Sequence, residues 1–284
     1  MKKLLMVLEM VKFEHTLFAL PFALLGAFLA ARGIPEWRQL FWILVAMFAA
    51  RSAAMAFNRL VDRKYDGMNP RTAQRHLPRR ALSPRFVATF VAGNAVIFVL
   101  AAWMLNQLAF YLSPLALAII LFYSYTKRFT AFSHVALGLA LAIAPVGGWV
   151  AVRGEFGGAI FYLAAAVLLW VGGFDIIYAC QDFQFDREAG LFSLPSRIGI
   201  ANALLLSRCF HAVMVLLLIQ AYLEFRLTGL SWVGLAIVIV SLIYEHSLVK
   251  PNDFSRVNTA FFTINGFISI ALFVCVGLDL WLLV

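Results

Sequence analysis

The sequence predicts an all-α membrane protein, a bundle of about nine transmembrane helices around a central cavity. Of the 284 residues, 63% are hydrophobic and only 13% are charged, and the mean hydropathy is +0.90. An average soluble domain carries about 25% charged residues. Apolar runs of roughly 17–25 residues, enough to cross a hydrocarbon core of about 30 Å, recur along the chain. Since a span in lipid must satisfy its own backbone hydrogen bonds, these runs are predicted to be helices.

The predicted spans, in chain order, are 14–33, 40–61, 86–104, 108–125, 134–152, 159–180, 204–223, 229–249 and 258–282. Glu9 and Glu14 precede the first run and no small-residue cleavage site closes it, which predicts a retained span rather than a signal peptide. The spans are assigned to a single domain, 1–284, built from two related halves at about 1–130 and 131–284.

Lys and Arg are divided unequally between the two ends of the predicted bundle. With nine spans, 18 of the 23 basic residues fall on the side of the N-terminus, whereas Arg32, Arg38, Arg153 and Arg226 fall on the other. Basic loops face the cytoplasm. We therefore expect a multi-pass protein of a bacterial-type inner membrane, with its N-terminus cytoplasmic. This topology explains part of the net charge of +9 without a nucleic-acid partner.

Aspartate is scarce, and five of the seven Asp residues lie at the predicted cytoplasmic ends of the second and sixth spans. One cluster contains Asn58, Asp62 and Asp66, and the other contains Asp175, Tyr178, Asp182 and Asp186. Helix positions i, i+4 and i+8 share a face, so each cluster is expected to form one stripe. The two Asp pairs are both offset by 120 residues (182 − 62 and 186 − 66), which suggests halves that face each other across a cavity.

Paired carboxylates of this kind indicate a site for a hard divalent cation. Carboxylates one helical turn apart repel each other unless a cation intervenes. Mg²⁺ takes one or two carboxylates and completes its shell with water and substrate phosphate. We predict that Asn58, Asp62, Asp66, Asp182 and Asp186 are metal ligands for two Mg²⁺ ions bridged by a diphosphate. The alternative is that the acids are solvated helix ends, but acids in a lipid-embedded chain are usually functional.

A basic segment follows the first acid cluster directly. Arg71 and Arg75 lie one helical turn apart, and arginine forks match phosphate oxygens. Lys127, with Tyr123 one turn before it, ends the fourth span on the same side. These residues are predicted to bind the diphosphate. The alternatives are a positive-inside loop, for which Arg79, Arg80 and Arg85 are the better candidates, and an interfacial Tyr/Lys anchor.

Over its whole length the sequence resembles the UbiA superfamily of intramembrane prenyltransferases. The resemblance rests on the N-x3-D-x3-D motif at Asn58, the D-x3-D motif at Asp182 and the Tyr123-x3-Lys127-Arg pattern. Asn69-Pro-Arg71-Thr and Gly190-x2-Ser193-x-Pro195 also look like that family. It implies Mg²⁺-dependent transfer from a polyprenyl diphosphate to an aromatic acceptor at the cytoplasmic face of the bilayer.

The opening Lys12-Phe-Glu14-His15-Thr16 looks more like the futalosine branch of menaquinone synthesis than like ubiquinone-pathway enzymes. The acceptor implied is 1,4-dihydroxy-6-naphthoate rather than 4-hydroxybenzoate. Arg51, which lies deep in the second span, and His15 are candidates to bind this acceptor. The small side chains of Ala53, Ala54 and Ala56 are expected to make the acceptor pocket wide enough for two rings. For Arg51 the alternative is a structural pair with a polar neighbour.

The expected chemistry assigns roles to two further residues. Tyr178 is expected to stabilise a developing allylic cation through its ring face, and Asp175 to orient or deprotonate the acceptor or else to be a structural acid. His134, His211 and His246 are expected to be structural or interfacial. The alternatives to this function are an ion-coupled transporter, a haem farnesyl transferase or a chlorophyll-synthase type of enzyme. The D-x2-D-G-x2-A-R string of CDP-alcohol phosphotransferases is missing.

Overall fold

The structure is a computed structural model that describes residues 2–11 and 16–282. Within these residues it has twelve α-helices, a 3₁₀ turn (Cys180–Asp182) and a π-helical turn (Thr259–Ile264). In chain order the helices are α1 (Lys2–Val11), α2 (Thr16–Ala31), α3 (Trp37–Met68), α4 (Pro84–Leu105), α5 (Gln107–Thr126), α6 (Ser133–Arg153), α7 (Ile160–Ala179), α8 (Phe183–Glu188), α9 (Leu194–Ile198), α10 (Ile200–Phe225), α11 (Gly229–Leu248) and α12 (Asn265–Leu282).

Eight described helical stretches are long and apolar enough to cross a membrane, which confirms the all-α, multi-pass class. They correspond to the second to ninth predicted spans. The first predicted span, 14–33, corresponds to α2, which has 16 described residues and extends about 24 Å at 1.5 Å per residue. The estimate of about nine spans therefore becomes eight long helices and one shorter apolar helix. The division into two related halves stays a prediction.

The N-terminal helix α1 was not expected from the pattern of spans. Its Met10 and Val11 are buried in a cluster with Ala53 and Ala56 of α3 and residues of α4. The predicted role of these two alanines beside the cavity is therefore wrong. A residue in a helix lies about 100° from its neighbour, so Ala53 and Ala56 face α1 and α4 while Ala54 faces inward.

Helices α2 and α6 approach each other closely through glycines. A Cβ atom on Gly148 would collide with the carbonyl oxygen of Ala23, and one on Gly26 would collide with that of Pro145. Small residues at such crossings let helix backbones pack tightly where no hydrophobic force drives them together in lipid. This contact places α2 against α6, on one side of the central cavity.

Helix α7 forms the centre of the bundle and carries the deepest part of the core. Trp170 and Phe174 are almost fully buried there. Trp170 Nε1 donates to Asn265 Oδ1 at 2.7 Å, and Asn265 Nδ2 donates to the carbonyl of Ala260 at 2.9 Å. Asn265 thus satisfies a carbonyl of the π-helical turn, a kind of irregularity that is frequent at functional sites. The turn brings Phe261 and Phe262 to the wall of the cavity.

Candidate active site

A polar cavity of about 270 Å³ lies at the C-terminal ends of α3 and α7. Twelve of the thirteen predicted site residues line it: Arg51, Asn58, Asp62, Asp66, Arg71, Arg75, Tyr123, Lys127, Asp175, Tyr178, Asp182 and Asp186. The thirteenth, His15, lies outside the described residues. Residues far apart in the chain are thus brought to one place.

The first acid cluster occupies consecutive turns of α3. Asn58, Asp62 and Asp66 all face the cavity, as their spacing predicts. Asn58 Nδ2 donates to Asp62 Oδ2 at 3.0 Å. The side chains of Asp62 and Asp66 are 17% and 9% exposed. Both carboxylates are largely removed from solvent, where a charge needs a partner of opposite sign.

The second acid cluster crosses a change of helix type, and all four of its residues line the cavity as the predicted stripe requires. Helix α7 ends at Ala179, the 3₁₀ turn covers Cys180–Asp182, and α8 begins at Phe183. Short 3₁₀ turns are frequent at the ends of α-helices because they tighten the last turn. Asp182 and Asp186 both line the cavity, so the two acid pairs meet there.

Each of the four paired acids has a cationic partner from another part of the chain. The pairs are Asp62–Arg128 at 3.3 Å, Asp66–Arg75 at 2.6 Å, Asp182–Arg71 at 3.0 Å and Asp186–Lys127 at 3.5 Å. Two of these cations belong to the segment after α3 and two to the loop between α5 and α6. The cavity therefore combines ligands for a divalent cation with donors that suit phosphate oxygens.

Arg71 is held in place by the loop that carries it. Asn69 Oδ1 accepts from the Arg71 backbone N–H at 2.9 Å, and Asn69 Nδ2 donates to Asp182 Oδ1 at 3.1 Å. Thr72 Oγ1 donates to the carbonyl of Asp66 at 3.0 Å. Burial alone would lower the pKa of Arg71, but its hydrogen bonds and charge attraction with Asp182 outweigh burial and raise that pKa. Arg71 is therefore a fixed cation facing the acids.

Tyr178 joins the polar cavity to an aromatic wall. Its hydroxyl accepts from Arg71 Nη1 at 3.0 Å. The centroid of its ring lies 4.2 Å from that of Phe261. Phe18, Phe174 and Phe262 also belong to this wall. The faces of aromatic rings attract cations, and the Arg71 guanidinium lies 5.3 Å from the centroid of the Tyr178 ring.

An apolar cavity of about 190 Å³ adjoins the polar one, and we call it the alanine channel. The two cavities share Arg51, Tyr123, Leu137 and Leu141. Small side chains of α3, α5 and α6 line much of the channel: Ala46, Ala50, Ala54, Ala109, Ala116, Ala140 and Ala144. Its lining on α3 runs from Arg51 back to Ile43, about 12 Å at 1.5 Å per residue. The channel therefore offers an apolar space beside the polar cavity.

Arg51 lies where the two cavities meet. Its Nε atom is buried and has no hydrogen-bond partner among the described residues. A buried donor without an acceptor costs about 1–3 kcal/mol, and more when the group is charged. This arrangement suits an anionic ligand at the junction better than the alternative of a structural pair.

Two buried carboxylate oxygens test whether the site suits a metal ion. Asp66 Oδ2 is buried and accepts no hydrogen bond from any described residue, and Asp186 Oδ1, also without a hydrogen bond, lies 3.5 Å from the Lys127 ammonium. No three His, Cys, Asp or Glu side chains in the described ranges lie close enough to share one ion. Because Mg²⁺ needs only one or two carboxylates when phosphate completes its shell, the two acid pairs and the unbonded Asp66 oxygen fit this ion.

Sequence reasoning gave no individual role to several residues that line the cavity: Arg59, Tyr65, Asn69 and Thr72. Arg128 belongs to the Tyr123-x3-Lys127-Arg pattern, but its contact with Asp62 was not predicted. His134 was expected to be structural, whereas its Nδ1 lies 2.7 Å from Asp175 Oδ2. The sequence carries a signal for Arg128 and Asn69, which lie inside quoted motifs, but none for His134.

Known proteins share both this sequence pattern and this fold. Residues 19–271 match the UbiA prenyltransferase family. A 4-hydroxybenzoate octaprenyltransferase of Tolumonas auensis is 32% identical over 236 residues, which cover 83% of this chain and 82% of that protein. Another, from Chromohalobacter salexigens, is 28% identical and covers 89% of this chain and 84% of its own length.

Solved structures agree with the sequence relatives. The apo structure of a UbiA homolog from Aeropyrum pernix K1 has a TM-score of 0.86 and 35% identity, covering 94% of this chain and 98% of that one. A UbiA homolog from Archaeoglobus fulgidus bound to DMAPP and Mg²⁺ shares the fold, with a TM-score of 0.76, 21% identity, and coverage of 98% and 99%. Because the family match and the more similar relatives span most of the sequence, the chain belongs to the UbiA prenyltransferase family of membrane enzymes.

Proposed function

We propose that the protein transfers a polyprenyl group from polyprenyl diphosphate to a ring carbon of a hydroxylated aromatic acid, with Mg²⁺ as cofactor. The observation that carries this proposal is the convergence of two acid pairs and three diphosphate-type cations in one cavity. The alanine channel adjoins that cavity and offers an apolar space to a prenyl chain. An ion-coupled transporter needs neither the paired cations nor the channel.

Relatives support the same reaction class. The Archaeoglobus fulgidus homolog has been solved with DMAPP and Mg²⁺ and with GPP and Mg²⁺, both prenyl diphosphates. The curated relatives are named 4-hydroxybenzoate octaprenyltransferases. These properties belong to those proteins, and their extension to this chain is part of the proposal.

Two Mg²⁺ ions would be held by the acid pairs Asp62/Asp66 and Asp182/Asp186, with Asn58 beside the first pair. When bound, Mg²⁺ supplies positive charge that stabilises the leaving diphosphate. Arg71, Arg75 and Lys127 bind the remaining phosphate oxygens. Such preorganised donors favour the separation of charge as the allylic C–O bond breaks.

The chain's own residues then set up the attack on the allylic carbon. The ring of Tyr178 faces this carbon and favours its cationic character. The surrounding apolar walls keep water away from it, since water would otherwise capture the cation. The aromatic ring carbon next to the phenolic hydroxyl forms the new C–C bond, and its proton is lost afterwards. Asp175 orients the phenolic hydroxyl.

Arg51 binds the acceptor's carboxylate at the junction of the two cavities. From there the acceptor ring meets the allylic carbon below the diphosphate, while the prenyl chain extends into the alanine channel. Ala50 and Ala54, on either side of Arg51, line the channel at this point and provide apolar width. His15 remains a predicted contact of the acceptor. The site is proposed to face the cytoplasm of a bacterial-type inner membrane.

The direct test is a transfer assay in membranes that contain the protein. Membranes are incubated with labelled polyprenyl diphosphate, Mg²⁺ and each candidate acceptor, and the prenylated product is measured. We expect product with Mg²⁺, none after chelation, and recovery when Mg²⁺ is restored. The double variant Asp62→Ala/Asp186→Ala is the inactive control. Substrate flux in proteoliposomes without any product would instead support transport.

The acceptor is identified by competition. The resemblance of the first span predicts that 1,4-dihydroxy-6-naphthoate is prenylated faster than 4-hydroxybenzoate, in menaquinone rather than ubiquinone synthesis. A ring held about 1 Å out of line in a site of the wrong width can lose roughly 100-fold in rate. A higher kcat/KM for 4-hydroxybenzoate, as the names of the curated relatives favour, would reverse this choice and leave the reaction class intact.

A further inference from the structure

His134 lies at the start of α6 and connects the active-site cavity to the segment that follows the second acid cluster. Its side chain is 4% exposed and lines the polar cavity. On one side of the ring, Nδ1 lies 2.7 Å from Asp175 Oδ2. On the other side, Nε2 accepts a hydrogen bond from the backbone N–H of Leu194 at 3.3 Å.

These two contacts determine which ring nitrogen of His134 carries the proton. A backbone N–H can only donate, so Nε2 must present its lone pair to Leu194. The ring proton of the neutral imidazole is therefore on Nδ1, which donates to the Asp175 carboxylate. The second hydrogen bond of a histidine sets its tautomer in this way at many functional sites.

The two carboxylate oxygens of Asp175 have different surroundings. Oδ2 bonds His134, whereas Oδ1 has no hydrogen-bond donor among the residues that the structure describes. The side chain is 23% exposed and lines the cavity one helical turn before Tyr178, on the membrane side of the acid pairs. Asp175 therefore lies on the membrane side of the proposed diphosphate site.

The segment that contacts His134 is itself tied to the site. The Leu191 N–H donates to the Asp186 carbonyl, and the Phe192 N–H donates to the Lys127 carbonyl, both at 2.8 Å. Ser193 then caps α9, whose first residue is Leu194. The position of the Leu194 N–H is thus determined by the same segment that carries a predicted metal ligand.

We propose that His134 is a positioning residue that holds Asp175 so that Oδ1 meets the phenolic hydroxyl of the acceptor. This inference rests on the proposed function. As the ring carbon forms its bond to the allylic carbon, the phenolic proton passes to Oδ1, and diphosphate leaves with the electron pair of the broken C–O bond. Asp175 then returns that proton to the acceptor oxygen while the ring-carbon proton leaves to a diphosphate oxygen, which restores aromaticity.

Two conservative variants separate the contacts of His134. The amide nitrogen of His134→Asn occupies the place of Nδ1 and preserves the donor to Asp175. The longer side chain of His134→Gln reaches the place of Nε2, preserves an acceptor for Leu194 and leaves Asp175 without its donor. We expect His134→Asn to retain kcat within about fivefold and His134→Gln to lose about 10–100-fold, with KM for prenyl diphosphate unchanged in both. If His134 only supports the fold through Leu194, His134→Gln should instead retain the higher kcat.

A double-variant test shows whether His134 acts through Asp175. Adding His134→Gln to Asp175→Asn is expected to change kcat by no more than about twofold, because residues that act as a unit are not additive. His211→Gln is the matched control, since this buried histidine bonds His246 and the Trp170 carbonyl away from the cavity. An additive loss in the double variant, or full kcat in His134→Gln, would overturn the proposal.

A spectroscopic readout distinguishes failure of this inference from failure of the proposed function. In protein labelled with ¹⁵N-histidine, the NMR signals of His134, assigned by their loss in His134→Asn, should be those of the Nδ1–H tautomer. The Nε2–H tautomer would overturn the positioning role whatever the substrate. If the tautomer is as expected and the wild type prenylates no phenolic acid, the proposed function is wrong while the hydrogen-bonded pair stands.

Discussion

Charged residues within the bundle fall into two kinds that their surroundings distinguish. The four paired acids share a cavity with cations, and Asp66 Oδ2 is buried there without a hydrogen-bond donor among the described residues. Asp279, by contrast, accepts hydrogen bonds from Thr228 and from Ser231, and these bonds hold the start of α11. An acid whose oxygens bond the end of a neighbouring helix is structural, whereas an acid that faces a cavity together with cations is available to a ligand.

Single alanine substitutions of Asp62, Asp66, Asp182 and Asp186 are expected to abolish most activity and leave the protein folded. Each substitution removes a charged metal ligand that the chemistry requires. Removing one preorganised group that stabilises charge typically lowers kcat by at least about 100-fold. Product formation and yield of folded protein in detergent are the measurements. Asp253→Asn is the control, because Asp253 is exposed and its side chain accepts a hydrogen bond from the Ser255 N–H, outside the cavity. Near-normal activity in any two of the four would refute the metal site.

Arg51→Gln is expected to weaken binding of the acceptor and leave binding of the donor unchanged. A charged hydrogen bond is worth about 1.5–3 kcal/mol, so KM for the acceptor should rise about 10–100-fold. Steady-state kinetics with each substrate varied in turn measures the effect. Arg38→Gln is the control, since Arg38 is exposed and bonds the carbonyl of Met104. An increase in KM for prenyl diphosphate alone would assign Arg51 to the donor instead.

At the scale of helices, contacts between small residues decide how the cavity is shaped. The glycine contact between α2 and α6 sets one wall, and alanines on α3, α5 and α6 leave the channel open. The close helix contact and the open channel both require small side chains at these positions. Larger residues are therefore expected to act in two ways, by separating helices at a crossing or by filling the channel.

Gly148→Val tests the crossing of α2 and α6. The added side chain collides with the α2 backbone at Ala23, and overpacking of this kind typically costs about 1–3 kcal/mol. For a chain of about this size, each kcal/mol of lost stability lowers Tm by about 2–4 °C. The Tm in detergent should therefore fall by several degrees. Gly93→Ala is the control because a Cβ at Gly93 meets no atom within 4 Å. Equal Tm values for both variants would contradict the close contact.

Ala116→Phe tests whether the channel holds the prenyl chain. Ala116 lines the channel seven residues before Tyr123, about 10 Å deeper at 1.5 Å per residue. We expect kcat/KM for octaprenyl diphosphate to fall about tenfold or more, since filling a packed apolar space costs about 1–3 kcal/mol, while dimethylallyl diphosphate is unaffected. Ala118→Phe, on the exposed face of α5, is the control. An equal fall in kcat/KM with both prenyl diphosphates would show that the prenyl chain does not occupy the channel.

At the scale of the whole molecule, the bundle brings all four paired acids to one end. The loops 69–83 and 127–132 and the segment around α8 meet there, and all three contribute residues to the cavity. Two of the four pairs, Arg71 with Asp182 and Lys127 with Asp186, join residues that lie before and after residue 130. Neither half contains a complete site.

Cysteine labelling tests which membrane face carries this end. In a variant without native cysteines, Arg79→Cys and Glu188→Cys should react with an impermeant reagent only from the cytoplasmic side. Glu155→Cys, exposed in the loop between α6 and α7 at the other end of α6, should react only from outside. The expectation rests on the 18-to-4 division of Lys and Arg. Labelling of Arg79→Cys only from outside would invert the topology.

The sequence by itself determined the spans, the acid stripe on α3 and the family. Hydropathy is a local property, so a run of about 20 apolar residues identifies a helix without reference to its neighbours. The i, i+4, i+8 spacing of Asn58, Asp62 and Asp66 likewise needs only the helical repeat. The basic residues Arg71 and Lys127 were recognisable because they lie close in the chain to acids or to a span end.

Only the tertiary structure decided which residues act together. His134 and Asp175 are 41 positions apart, and Asp62 and Arg128 are 66 apart, so no local pattern links them. The structure also decided that Ala54 faces the channel while Ala53 packs against α1 and α4. The reason is physical: periodicity specifies which residues share a face, but the packing of one helix against others decides where that face points.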